Sequence, residues 1–493
     1  MTTLAGATRS FDSVNPASGA VVGTFPVHDG AAVAGAVSAA REAARWWDGL
    51  GFPGRRARLL AWKRALAAEL DGLAELVHRE NGKSVDEATL EIVAHLSVLG
   101  WLAEHAETVL RTRRARPNLF TVNQSATLAR RPFGVVGVIG TWNWPVYTPG
   151  GALASALAAG NAVVYKPSEL TPAIGSRVVE LFRSVVQEAP VLSTVTGFGP
   201  TGAALPAAGV DKLSFVGSPA TARRVMESCA QTLTPLVLEL GGKDAMIVAD
   251  DADLAAAVDG ALWLGLGNSG QTCIGTEIVY VVRSRYEAFL GELARGAERV
   301  RAGGDEPSSY GPMVMPSQVE IVRRHVQDAL ERGARAVVGG LGAFRPPYID
   351  PIVLVDVPAD APARTEETFG PVLVVVPVDD VDEAVARVNE GPFGLGAAVY
   401  SRRSGRDIAA RLRCGMVSVN GIIAYTIMGE LPFGGVGHSG FGRVQGAAGL
   451  EEFTWVKTTV RARFPAPVNP TSLFRSRLAM REFRALARLS HRR

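Results

Sequence analysis

The sequence predicts an α/β protein with two open, mostly parallel α/β domains and a small additional β element. Three observations carry this reading. At 493 residues the chain is too long for one ordinary hydrophobic core. From FGVVGVIG (133–140) onward, short Val- and Ile-rich runs alternate with helical segments. These runs have no polar face, as expected of strands covered by helices on both sides of a parallel sheet.

In chain order, residues 30–115 set Ala and Leu against Arg and Glu at helical spacing, which predicts a long helical stretch. TVNQSATLARRP (121–132) alternates in strand fashion. NAVVYK, PAIGSRVVELFRSVVQ, KLSFVG, ATARRVMESCAQTL and PLVLEL then read as strand, helix, strand, helix, strand. A second series after Gly241 includes EIVYVV, ARAVVGG and GPVLVVVPV, so a domain junction is expected near 239–242. PAPVNP (465–470) is the Pro-rich break before a basic tail.

Composition narrows the function classes. With 47% hydrophobic and 20% charged residues the chain reads as a water-soluble globular protein. Three cysteines, an odd number, argue against a disulfide framework and for a reducing compartment, so a cytoplasmic location is expected. Neither a signal peptide nor a spanning helix is expected. The net charge is +3, but the segment from Arg461 onward carries +8 and the remainder −5. A basic tail on an acidic body gives no reason to expect nucleic-acid binding.

Several short stretches carry candidate chemistry. In LGNSGQTCIGTE (266–277), Cys273 lies among small and polar residues rather than the aliphatic neighbours of a structural cysteine. Glu239 ends the apolar run of PLVLELGGKD, where partial desolvation would raise its pKa toward that of a general base. Asn143 in TWNWP offers an amide donor between two tryptophans, as an oxyanion hole or as an ordinary turn residue. Lys166 and Glu169 follow a buried strand, at the sheet edge where α/β folds place ligands. KLSFVGSPATARRV (212–225) runs a strand into a helix start at Gly217-Ser218, a phosphate site or a plain Ser cap. TGFGPTG (196–202) contains G-x-G-x-x-G without a strong strand before it or an acid about 20 residues on, so it is a weak dinucleotide fingerprint.

The ordered set TWNWP, NAVVYKPSE, FVGS, LELGGKD, GQTC, EETFGPV and PFGGVGHSGFGR resembles the aldehyde dehydrogenase superfamily, in its hydrolytic branch, over roughly residues 10–460. The resemblance implies that Cys273 is the nucleophile, that Asn143 and the Cys273 N–H meet the oxyanion, and that Glu239 activates the water that hydrolyses a thioester. It implies an NAD site, with NADP left open. There Lys166 and Glu169 hold the adenosine ribose, Gly217 and Ser218 contact the pyrophosphate, Glu367 binds the nicotinamide ribose with the Phe369 ring packed near it, and Trp142 and Ser168 are further cofactor-pocket residues. Trp144, Tyr147, Ile427 and Phe433 are expected to line the approach of an apolar aliphatic or aromatic aldehyde. No arginine stands at those four positions to hold a second carboxylate.

No metal is implied. A CoA-acylating semialdehyde dehydrogenase and a non-catalytic scaffold of the same fold are the alternatives. The family pattern makes 1–119 and 133–240 a Rossmann-like NAD-binding domain and 241–453 the catalytic domain. Residues 120–132 and 454–464 become strands that join a homodimer or homotetramer. Two positions depart from the pattern: Ala222 replaces a common glycine, and Glu277-Ile278 replaces an arginine-containing continuation after the cysteine.

The tail, 465–493, is basic and amphipathic. Arg477, Arg481, Arg484, Arg488 and Arg492 recur every three or four residues, with Met480, Phe483, Leu486 and Ala487 on another stripe. A helix docked on protein and a helix lying peripherally on an anionic membrane are both compatible with that pattern.

Overall fold

The computed structural model of the protein describes residues 9–303, 309–466 and 469–491. Its chain divides into two compact units, Met1–Val109 with Pro132–Thr454, and Leu110–Arg131 with Trp455–Arg493.

The larger unit is built on two sheets. The first has six strands in the order Gly440–Phe441, Leu236–Leu240, Lys212–Gly217, Val135–Ile139, Ala162–Lys166 and Leu192–Thr194. All its pairings are parallel except that of Gly440–Phe441, an antiparallel edge strand on Leu236–Leu240. The second has seven strands, ordered Arg335–Val338, Ile352–Val355, Val372–Val378, Thr276–Val282, Asp244–Val248, Gly396–Tyr400 and Met416–Val419. Only its first pair is antiparallel.

Alternation explains the burial of the seven-stranded sheet. Met246, Val248, Val279, Val281, Leu373 and Val375 pack against Leu264, Phe289 and Leu293 on one face. Their neighbours Ala245, Ile247, Ile278, Tyr280, Val372 and Val374 pack against Val319, Val322 and Val326 on the other. Both faces are therefore apolar, which is why the strands read as continuous hydrophobic runs.

The sequence reading places a domain junction near 239–242, and the chain switches sheets between Leu240 and Asp244. It then crosses back, which the sequence did not suggest. Gly440–Phe441 pairs with the first sheet, and the helix Gly446–Glu452 packs on the helix Tyr147–Ala159. The expected block 241–453 is thus not one sheet's territory.

The predicted helical stretch 30–115 is four helices, Gly30–Gly49, Gly51–Ala68, Leu70–Asn81 and Val85–Leu110. Gly82 ends the third in a left-handed conformation at φ +86°, and a Cβ there would come within 2.6 Å of Pro312. An N-terminal hairpin, Ser10–Val14 with Val21–Pro26, also went unread in the sequence.

In the smaller unit, the two expected strands appear as Gln124–Pro132 and Thr454–Ala462, joined by Arg113–Ala115 in one sheet with Gln124–Pro132 central. The tail forms the helix Arg477–Ser490, capped by Ser476, whose side chain accepts the Ala479 N–H. Phe483 lies 5.3 Å from the Phe120 ring, and Ala479, Met480 and Ala487 are half-buried beside it. Leu486, expected on that stripe, faces outward instead. Arg492 lies outside the described residues.

Among the described residues, no helix is long and apolar enough to cross a membrane, and no cluster of His, Cys, Asp or Glu is arranged to hold a metal.

Candidate active site

Cys273 stands three residues before the strand Thr276–Val282, after a turn made of unusual backbone. Asn268 and Ser269 both occupy the left-handed region, at φ +51° and +58°, followed by Gly270 at +68°. Consecutive non-glycine residues in that region cost of order 1–3 kcal/mol each and persist only where surroundings over-determine them. Here they do. The Asn268 N–H donates to Glu87, its side-chain amide to the carbonyls of Asn143 (2.9 Å) and Gln271 (3.1 Å). Gln271 in turn donates to Asn268 (3.0 Å) and Pro312 (3.2 Å) and accepts the Val314 N–H (2.9 Å). The polar residues around Cys273 are thus the scaffold of its turn.

Asn143 follows the first-sheet strand Val135–Ile139. Its carboxamide oxygen accepts from Thr141 (3.0 Å) and its Nδ2 donates to the Gln271 carbonyl (3.0 Å). The amide has a second hydrogen for another acceptor. Glu239 is buried, and neither carboxylate oxygen has a hydrogen-bond partner. Burial raises its pKa well above the ordinary carboxylate value, against the opposing field of Arg443. Gly434, at φ +149°, makes room for it, since a Cβ there would sit 2.6 Å from Oε1. Burial and the fields of Asp244, Glu367 and Glu239 push the Cys273 thiol up, so the resting sulfur holds its proton.

These three residues line a cavity of about 870 Å³. The same cavity takes in Trp142, Lys166, Ser168, Glu169, Gly217, Ser218, Glu367 and Phe369, so the whole expected catalytic and cofactor set is brought together. Toward one end, Lys166 Nζ pairs with Glu169 at 2.8 Å. The helix Pro219–Ala230 begins at the wall formed by Gly217 and Ser218. Ser218 caps that helix by accepting the Thr221 N–H at 3.3 Å, and the same turn lines the cavity. Glu367 accepts the Gly242 N–H at 2.9 Å, and burial next to Glu277 raises its pKa to about 8.

Phe369, at φ +49°, meets Trp142 edge-on at 5.8 Å. A groove lined by the carboxyl groups of Glu169 and Glu367 and by the start of a helix carries the groups that the riboses and pyrophosphate of a dinucleotide would use.

Four expected substrate residues do not line this groove. Trp144 is fixed by donating to Thr272 Oγ1 (3.1 Å), and Tyr147 packs edge-on against Phe433 at 6.1 Å, with Tyr425 on Phe433's other contact at 6.4 Å. Ile427 is 45% exposed. By its bond to Thr272, Trp144 meets the residue next to Cys273, and the fields of Cys273 and Glu239 add to burial in raising the Tyr147 phenol.

Sequence reasoning missed other residues. Gly199 and Gly202, of the discounted glycine fingerprint, line the groove, as do Arg224 and Gln318. Glu277, the departure after the cysteine, accepts the N–H groups of Thr368 and Phe369 and pairs with Lys243, which holds the segment carrying Glu367. No periodicity announces such a contact. The only signal was that a carboxylate stood where a cation was expected.

Comparison with known proteins agrees with the geometry. The chain is 37% identical to a 4,4'-diapolycopene aldehyde oxidase of Methylomonas sp over 93% of its length and 87% of that protein's. It is 36% identical to a glutarate-semialdehyde dehydrogenase of Pseudomonas putida, over 90% of this chain and 92% of the relative. Among solved structures, an NAD+ complex of an aldehyde dehydrogenase from Bacillus cereus superposes with a TM-score of 0.87 at 30% identity, covering 92% of this chain and 93% of that one. An E. coli NADP-dependent enzyme gives 0.88 at 33% identity, covering 92% and 95%. Residues 3–459 match the aldehyde dehydrogenase family, and the chain is an enzyme of that family.

Proposed function

We propose that the protein oxidises an apolar aliphatic or aromatic aldehyde to the carboxylic acid with NAD, through a covalent Cys273 adduct. The observation that carries this is the meeting of Cys273, Asn143 and the unpartnered Glu239 carboxyl at one cavity.

The Cys273 thiol gives its proton to solvent water as the sulfur bonds to the aldehyde carbon, the carbonyl π bond breaks and the carbonyl oxygen takes the negative charge. Burial, with the acids Asp244, Glu367 and Glu239 nearby, disfavours charge on sulfur, whereas the Asn143 amide and the Cys273 N–H would receive it on oxygen. The site therefore favours the tetrahedral adduct over the free thiolate. Lys166, Ser168, Glu169, Gly217, Ser218, Glu367 and Phe369, with Trp142 beside Phe369, would hold NAD, which when bound would supply the hydride acceptor that the oxidation requires. Glu239 then takes a proton from water, the hydroxyl attacks the thioester carbon, and the carbon–sulfur bond breaks to release the acid. Glu169 supports NAD over NADP, because it would repel a 2′-phosphate.

An apolar substrate is supported by the aromatic group Trp144, Tyr147, Tyr425 and Phe433, and by the family likeness to an enzyme named for a polyene aldehyde. On this reading the first-sheet half is the NAD-binding domain, the second-sheet half is catalytic, and Ile427 lies at the substrate mouth. The test is NADH or NADPH formation from hexanal, decanal, benzaldehyde and succinic semialdehyde, with Cys273→Ala as control. Decanal or benzaldehyde with NAD should give the highest kcat/KM, and C273A no more than a few per cent. A preference for succinic semialdehyde overturns the substrate class, and turnover that requires added coenzyme A overturns hydrolysis.

We also propose a cytoplasmic homodimer or homotetramer whose tail helix touches anionic membrane. The helix uses one face within its own unit and leaves Leu478 and Leu489 62% and 69% exposed beside Arg477, Arg481, Arg484 and Arg488. An apolar face flanked by arginines suits a lipid headgroup boundary.

A further inference from the structure

The segment Asn81–Lys83 and the first turns of the helix Val85–Leu110 have no role in the chemistry above, yet they converge on it. Lys83 is completely buried, and its ammonium is met by two acceptors and an aromatic face. It donates to the Asn143 carbonyl (2.6 Å) and to Glu91 (3.2 Å), and it lies 3.7 Å from the centre of the Trp144 ring. Glu91, also buried, uses its other oxygen to accept the N–H groups of Val146 (3.2 Å) and Tyr147 (3.3 Å). Asn81 donates to the Trp142 carbonyl at 2.9 Å. Every residue from 142 to 147 except Pro145 is thus held from this one segment.

The same helix reaches the nucleophile turn. Glu87 accepts the N–H of Asn268, whose side chain shares the Asn143 carbonyl with Lys83. Gly82 packs against Pro312, and the Pro312 carbonyl accepts from Gln271. The two loops that must face each other for catalysis are therefore referenced to a common buried ion pair.

We infer that Lys83 and Glu91 are positioning residues, which fix the Asn143 amide relative to Cys273 and so set the rate of adduct formation. The inference rests on reading Asn143 as the oxyanion donor. It explains why an ion pair is retained in the interior, where an apolar pair would serve packing as well or better.

The experiment compares Lys83→Met, the double variant Lys83→Met with Glu91→Gln, and Asn143→Ala. Lys83→Met alone strands a buried carboxylate and can fail to fold. The double variant leaves a neutral amide that still accepts the Val146 and Tyr147 N–H groups. Three quantities are read on each: the pre-steady-state NADH burst rate at saturating aldehyde, the NAD dissociation constant, and the rate of Cys273 alkylation by iodoacetamide, taken as the difference from C273A. In the double variant the burst should slow about 10- to 100-fold, the scale of a misplaced catalytic group. NAD affinity and alkylation should stay within about twofold of the parent, since neither uses the oxyanion donor. A purely structural role would move all three together and overturn the proposal, as would an unchanged burst. If N143A keeps a normal burst, the oxyanion reading itself fails. If N143A is slow and the double variant is not, only the positioning role fails.

Discussion

Glu239 is a buried carboxyl without a protein hydrogen bond, so it ionises at higher pH than an exposed glutamate. The protonated form cannot accept a proton from water. Turnover limited by thioester hydrolysis should therefore rise with pH through this raised pKa, above the ordinary glutamate range. Glu239→Gln should remove that limb and lower kcat about 10²-fold or more, leaving a burst of about one NADH per site. The pH profile of kcat and the burst amplitude check this together. Loss of the burst would mean that Glu239 acts before oxidation.

At the scale of elements, the tail helix resolves a choice that its sequence left open. Ala479, Met480, Phe483 and Ala487 form the half-buried stripe near Phe120, about 100° and more around the helix from Leu478 and Leu489. One face is docked and another is free, so docking and membrane contact do not compete. Co-sedimentation with vesicles should show the full chain on anionic but not neutral lipid, and a chain ending at Val468 on neither. Equal behaviour of the two chains on anionic vesicles leaves the helix as a docked element only.

The strand Thr454–Ala462 lies at an edge of its sheet, with Trp455, Val456 and Val460 each 45% or more exposed. An apolar edge strand invites pairing with a second chain. Sedimentation at micromolar concentration should accordingly give a mass of two or four chains. A monomer would refute the assembly.

For the molecule as a whole, the sequence determined the α/β class and which of the expected catalytic and cofactor residues line one cavity, but not the further lining residues or the place of the four aromatic and aliphatic ones. It could do so because catalytic and ligand-facing residues sit at the ends of strands, and a buried strand ending in Glu239 or Lys166 is written as a contiguous apolar run. Tertiary structure alone decided the return of Gly440–Phe441 to the first sheet, the grip of Lys83 and Glu91 on the Asn143 loop, and that of Glu277 on the Phe369 segment. The contacts of Lys83, Glu91 and Glu277 join side chains to backbone atoms 55 to 92 positions away. A hydrogen bond of that kind leaves no period in the sequence, because it depends on one donor reaching one carbonyl after both sheets are in place.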